Sequence, residues 1–109
     1  METSAVIRHI VLVKFRLGTP EERISRIFAD LRAIKDKIPG VISISAGRSE
    51  SPEKIERGYM HGFTVDFADW SALDTYQKHP DHKRVGEALI ASATGGLDGI
   101  LVFDLPVAP

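Results

Sequence analysis

The first apolar stretch of the chain alternates with a period of two. From Ala5 to Phe15 one side carries Ile7, His9, Val11, Val13 and Phe15, and the other carries Val6, Ile10 and Leu12 with Arg8 and Lys14 between them. That period, in a run rich in Val and Ile, predicts a β-strand. A strand apolar on both faces is covered on both. In a chain of 109 residues one layer of helices covers one face of a sheet, so the other face calls for a second copy of the chain.

The period changes after Gly18. Thr19-Pro20-Glu21-Glu22 predicts a helix start, with Thr19 as N-cap, Pro20 at the first helical position and Glu22 closing a capping box. Ile24, Ile27, Phe28, Leu31, Ile34 and Ile38 then form one apolar stripe, and Pro39-Gly40 ends the helix. Val41 to Ala46 reads as a second, less buried strand, and Gly47 to Arg57 as a loop. Tyr59 to Phe67 is the third strand, with Tyr59, His61, Phe63, Val65 and Phe67 on one face. Asp69 or Ser71 caps a second helix carrying Trp70, Leu73 and Tyr76, and after a break at Pro80 it resumes through Val85, Leu89 and Ile90. Gly95 to Gly99 is a turn, and Ile100 to Leu105 is the last strand.

The order β-α-β-β-α-β predicts an α+β, ferredoxin-like fold with a four-stranded antiparallel sheet, in one domain over residues 6–105. The crossover rules put strands one and three side by side, with the helices on one face. His9 and His61 then share the covered face toward opposite ends, and they do not hold one metal between them.

Composition narrows the function classes. A net charge of -1 supplies no basic stripe for nucleic acid. The absence of cysteine removes disulfides and thiolate metal sites. No apolar run reaches the roughly 20 residues of a membrane span, and Met1-Glu2-Thr3-Ser4 reads as a polar lead-in without a signal peptide, so a cytoplasmic protein is expected.

The chemistry-bearing stretch is Tyr76-Gln77-Lys78-His79-Pro80-Asp81-His82. Tyrosine and histidine move protons or hold a carbonyl near neutral pH, and a proline between them fixes where the histidines point. Plainer roles stand beside the chemical ones. His82 can bind backbone at the helix restart, Tyr76 can be a core aromatic, and His9 and His61 can be hydrogen-bonded core histidines. His79 reads as structural or exposed, and Trp70 as an anchor between helix and sheet or part of a dimer contact. His79 and His82 alone make half a metal site, and no metal or cofactor is expected.

Together, Arg8 to Phe15, Tyr59-Met60-His61 and Tyr76 to His82 resemble the stress-responsive α/β-barrel (Dabb) domain family over nearly the whole chain. The resemblance implies a dimeric α+β barrel, a homodimer through the open sheet face. The family includes a plant polyketide cyclase that closes a linear thioester by aldol condensation without metal or organic cofactor. By that resemblance Tyr76 and His82 are the catalytic pair, with His82 as general base and Tyr76 orienting a carbonyl. His9 and His61 are pocket residues by the same likeness. Phe28, Phe63 and Val65 could supply the apolar walls of a pocket for a small apolar carbonyl ligand. Three functions follow as expectations: a small-molecule binding dimer, a cofactor-free cyclase or lyase, or a stress-related structural or interaction protein.

Overall fold

The computed structural model describes residues 6–108; the lead-in Met1–Ser4 and the expected first strand residue Ala5 lie outside them. The elements are β1 (Val6–Val13), α1 (Glu21–Arg32), β2 (Val41–Arg48), β3 (His61–Phe67), α2 (Trp70–Lys78), α3 (Pro80–Ser92) and β4 (Ile100–Val107). Short 3-10 turns at Lys35–Lys37 and Gly96–Gly99 complete the order. The sheet is fully antiparallel in the order β2-β3-β1-β4, the ferredoxin-like arrangement.

Register fixes which side chains face the helices, because residues directly opposite in a ladder point to the same side. Ile7, His9, Val11 and Val13 of β1 stand opposite Phe67, Val65, Phe63 and His61 of β3. All eight are buried under the helices. From α1 come Ile24, Ile27, Phe28 and Leu31, and from α2 Ala72, Leu73 and Tyr76. Each large apolar side chain so buried contributes about 1.5–3 kcal/mol. The expected stripe therefore holds, but it outlasts its helix. α1 ends at Arg32, and Ile34 and Ile38 reach the core from either side of the 3-10 turn.

The start of α1 corrects the expected cap. Pro20 has an extended ψ of 140° and is itself the N-cap, with no side-chain capping bond. The helix thus begins one residue late, and the Thr19 hydroxyl turns back to donate to the Arg16 carbonyl. Asp69, by contrast, caps α2 as expected, accepting from the Ala72 N–H at 2.8 Å. Just before β2, Gly40 has φ +91°, and a Cβ there would lie 2.6 Å from that of Ala72. The bare backbone at Gly40 lets α2 sit close on the sheet, which brings Tyr76 into the core. Trp70 is 55% exposed, so it is no anchor between helix and sheet within the chain.

The opposite face of the sheet has no helix on it. Ile10 and Leu12 stand beside Phe103 and Leu101 of β4, and Arg8 beside Leu105. Leu12, Leu101, Phe103 and Leu105 are all exposed. Arg8 and Asp66 pair across β1 and β3 through two bonds of 3.0 and 3.1 Å. The apolar-on-both-sides pattern of β1 is thus real, and within one chain only one side is covered.

Candidate functional site

The α2–α3 junction sets up the first cluster. α2 stops at Lys78, and Pro80 occupies the first turn of α3, where its missing N–H costs nothing. His79 between them is the N-cap of α3, its Nδ1 accepting from the Asp81 N–H at 3.0 Å. His79 is therefore structural. One turn into α3, His82 folds back toward α2, and its Nδ1 lies 3.2 Å from the Gln77 carbonyl oxygen. A carbonyl only accepts, so Nδ1 carries the proton and the neutral ring keeps its lone pair on Nε2.

The His82 ring packs on Tyr76 with centroids 4.4 Å apart. Behind Tyr76 lie Phe67 at 5.0 Å and His9 at 5.8 Å. Tyr76 is wholly buried, and these distances leave no ligand-sized gap between the rings. His82, only partly buried, is the member that meets solvent. Its pKa is pushed below the ordinary histidine value, first by burial, with smaller contributions from the neighbouring His9 and Lys83 and an opposing one from the Gln77 carbonyl. Burial pushes the Tyr76 hydroxyl well above its ordinary value. Near neutral pH the pair therefore offers a neutral imidazole and an un-ionised phenol: a base beside a hydrogen-bond donor.

His9 brings a residue that the sequence did not single out. Its Nδ1 is 2.6 Å from the Asp104 carboxylate on β4, directly opposite in the ladder. A carboxylate accepts, so Nδ1 of His9 is protonated and the ring is held in one orientation. The signal for Asp104 was present in the chain, as the one acidic residue within the apolar run Ile100 to Leu105. Only the register of β1 on β4 makes it a partner.

His61 lies elsewhere. It faces Val13 on the ladder, whereas His9 faces Val65, so the two histidines are four residues apart along the strands, about 13 Å. His61 packs against Phe15 and Phe28, with ring centroids at 5.2 and 6.4 Å. Phe63 touches both ends, at 6.4 Å from His9 and 6.2 Å from Phe28. Val65 is fully buried at the His9 end, directly opposite that residue. The structure thus brings His9, Tyr76 and His82 together with Asp104, and sets His61 and Phe28 apart. Among the described residues no group of three or more His, Cys, Asp or Glu gathers as a metal-binding set.

These features define a ferredoxin-like α+β protein with a polar cluster at the junction of its second and third helices. The stress responsive A/B barrel domain model matches residues 7–107, and the chain belongs to that family. It is similar to a dimeric ferredoxin-like protein of unknown function from Jannaschia sp. CCS1, with 35% identity over 94% of this chain and 99% of that one and a TM-score of 0.88. A Dabb family protein from Mesorhizobium loti shares 29% identity over 95% and 99% of the two chains, at a TM-score of 0.72. A hydroxynitrile lyase from Passiflora edulis has the same fold, with a TM-score of 0.83 over 96% and 95% of the chains, at 17% identity. No curated protein matches the chain.

Proposed function

We propose that this protein is a homodimer that binds a small carbonyl compound and acts on it without a cofactor, moving a proton alpha to the carbonyl. The observation that carries the reading is the Tyr76–His82 contact at 4.4 Å, with the His82 Nδ1 tied to Gln77. In the proposed step Nε2 of His82 takes the proton from the carbon alpha to a carbonyl. The electron pair of that C–H bond moves into the enolate, whose oxygen accepts from the Tyr76 hydroxyl. The enolate carbon then adds to a second carbonyl of the same molecule, and the proton on His82 passes to the new alkoxide. His9, pinned by Asp104, buttresses Tyr76 from behind. Because Tyr76 is enclosed, substrate entry requires the His82 side of the cluster to open.

The homodimer reading rests on the open sheet face. Its apolar residues Leu12, Leu101, Phe103 and Leu105 form the kind of patch that a monomer rarely leaves bare. A groove of about 720 Å³ runs over the same face, bordered by Ile10, Leu12, Leu101 and the loop after β2. The relative from Jannaschia sp. CCS1 is described as dimeric. A second reading, a non-catalytic structural or interaction protein, draws on the complete burial of Tyr76.

Deuterium exchange separates the two. A 3-oxoacyl thioester incubated in D2O is expected to lose its alpha proton faster with the protein than in buffer. His82→Ala should return the rate to that of buffer, and Tyr76→Phe should lower the catalysed part by about 10²-fold. Equal exchange in all three folded proteins would leave the structural reading in place.

A further inference from the structure

His61 carries the one side-chain atom among the described residues that is buried without a hydrogen-bond partner, its Nε2. The residue is 7% exposed. A buried, unpaired polar group costs about 1–3 kcal/mol, so a group left this way in a well-packed core points to a partner that comes from outside. The nearest candidate within the chain does not complete the bond. Glu21, in the first turn of α1, brings a carboxylate oxygen to 3.6 Å, beyond hydrogen-bond range, on a side chain that is 70% exposed.

Two cavities, of about 500 and 210 Å³, meet at His61. Both are bordered by Glu21, Ile24 and Arg48. The larger is also bordered by Lys14, Arg16 and the apolar Phe15. Lys14 lies over the Tyr59 ring and Arg16 donates to the Ala91 carbonyl, so the charge at this cavity comes from Arg48 opposite Glu21, with an apolar wall beside them. The larger volume falls in the range of small-molecule sites.

We infer that this end of the sheet is a second ligand site, which takes the carboxylate of a small amphipathic acid. Nε2–H of His61 donates to the carboxylate, in the place that Glu21 approaches without reaching. Arg48 supplies the opposing charge, and the apolar tail lies along Phe15 and Ile24. Glu21 swings into solvent as the ligand enters. A carboxylate fits better than a bulkier oxyanion because a carboxylate of the chain already stands at the mouth. The site is about 13 Å from the Tyr76–His82 pair along the strands and is independent of the proton chemistry proposed there.

The test is a titration of 15N-labelled protein with hexanoate, followed by amide and imidazole resonances. Saturable shifts are expected at His61, Phe15 and Ile24, and hexanamide, which has the same shape without the charge, should bind at least about tenfold more weakly, the ratio that 1.4 kcal/mol of charge-assisted bonding gives. Arg48→Ala, an exposed change that leaves the core alone, should weaken hexanoate binding several-fold. His61→Phe should abolish it, and Tyr76→Phe should leave it unchanged. No saturable shift at millimolar hexanoate would overturn the inference. So would equal binding of acid and amide, an unchanged affinity in Arg48→Ala, or shifts centred on Tyr76 and His82 instead.

Discussion

The His9–Asp104 pair permits a quantitative test of the buried cluster. Asp104→Ala removes the acceptor 2.6 Å from Nδ1 of His9, a ring that is almost fully enclosed, while the Asp104 side chain itself is 27% exposed. An orphaned buried donor costs about 1–3 kcal/mol, and a charge-assisted bond is worth about 1.5–3 kcal/mol. Water entering where the carboxylate was offsets part of that loss, so the structure argues for a net destabilisation of about 2 kcal/mol. In a domain of this size that lowers Tm by about 10 °C. Asp104→Asn keeps an oxygen in place and should cost only about half as much. The assay is urea unfolding followed by circular dichroism, at one fixed protein concentration because an associating protein has a concentration-dependent stability. A double-mutant cycle with His9→Ala should return a coupling of about 1 kcal/mol or more. If Asp104→Ala unfolds within about 0.5 kcal/mol of the wild type, the size of a neutral surface change, the pair does not hold His9 and the reasoning fails.

Two further outcomes follow from other parts of the molecule. Phe103, 61% exposed on the edge strand β4 of the open sheet face, should anchor the interface between two copies, so Phe103→Asp should shift sedimentation from dimer to monomer; a dimer that survives it would place the interface elsewhere. Because folding lowers the pKa of His82, the unfolded chain binds that proton more tightly, and stability should be greatest above about pH 6.5 and fall as the pH drops through that value. The difference between the wild type and His82→Gln in urea midpoint should therefore narrow or reverse between pH 7.5 and pH 5, and a pH-independent difference would mean that folding does not perturb His82.

Local signals carried far in this chain, and long-range ones did not. The strand of β1, the cap of α2 and the break at Pro80 each depend on residues within a few positions: β1 lies inside the expected Ala5–Phe15 but stops at Val13, Asp69 is the one of the two candidate caps that is used, and the break falls at Pro80. The buried faces of β1 and β3 were also readable, since period-two alternation puts His9 and His61 on the covered side, whereas the residue-by-residue register was not. The cap at Thr19 misled because residue types alone do not give the extended ψ of Pro20. Asp104 was invisible as a partner of His9, since the two are 95 residues apart and meet only through the pairing of β1 with β4. The approach of Glu21 to His61 is likewise a product of how α1 crosses the sheet. Tyr76 could be placed on an apolar helix face, but its enclosure by Phe67, His9 and His82 depends on three separate elements.

The Tyr76–His82 cluster is proposed to serve a bound small molecule. Native mass spectrometry of the protein as purified, beside Tyr76→Phe and His82→Ala, tests it most directly. The wild type should appear as a dimer carrying a small organic compound, with lower occupancy in either variant at unchanged folding. A bare dimer of equal stability in all three would contradict it.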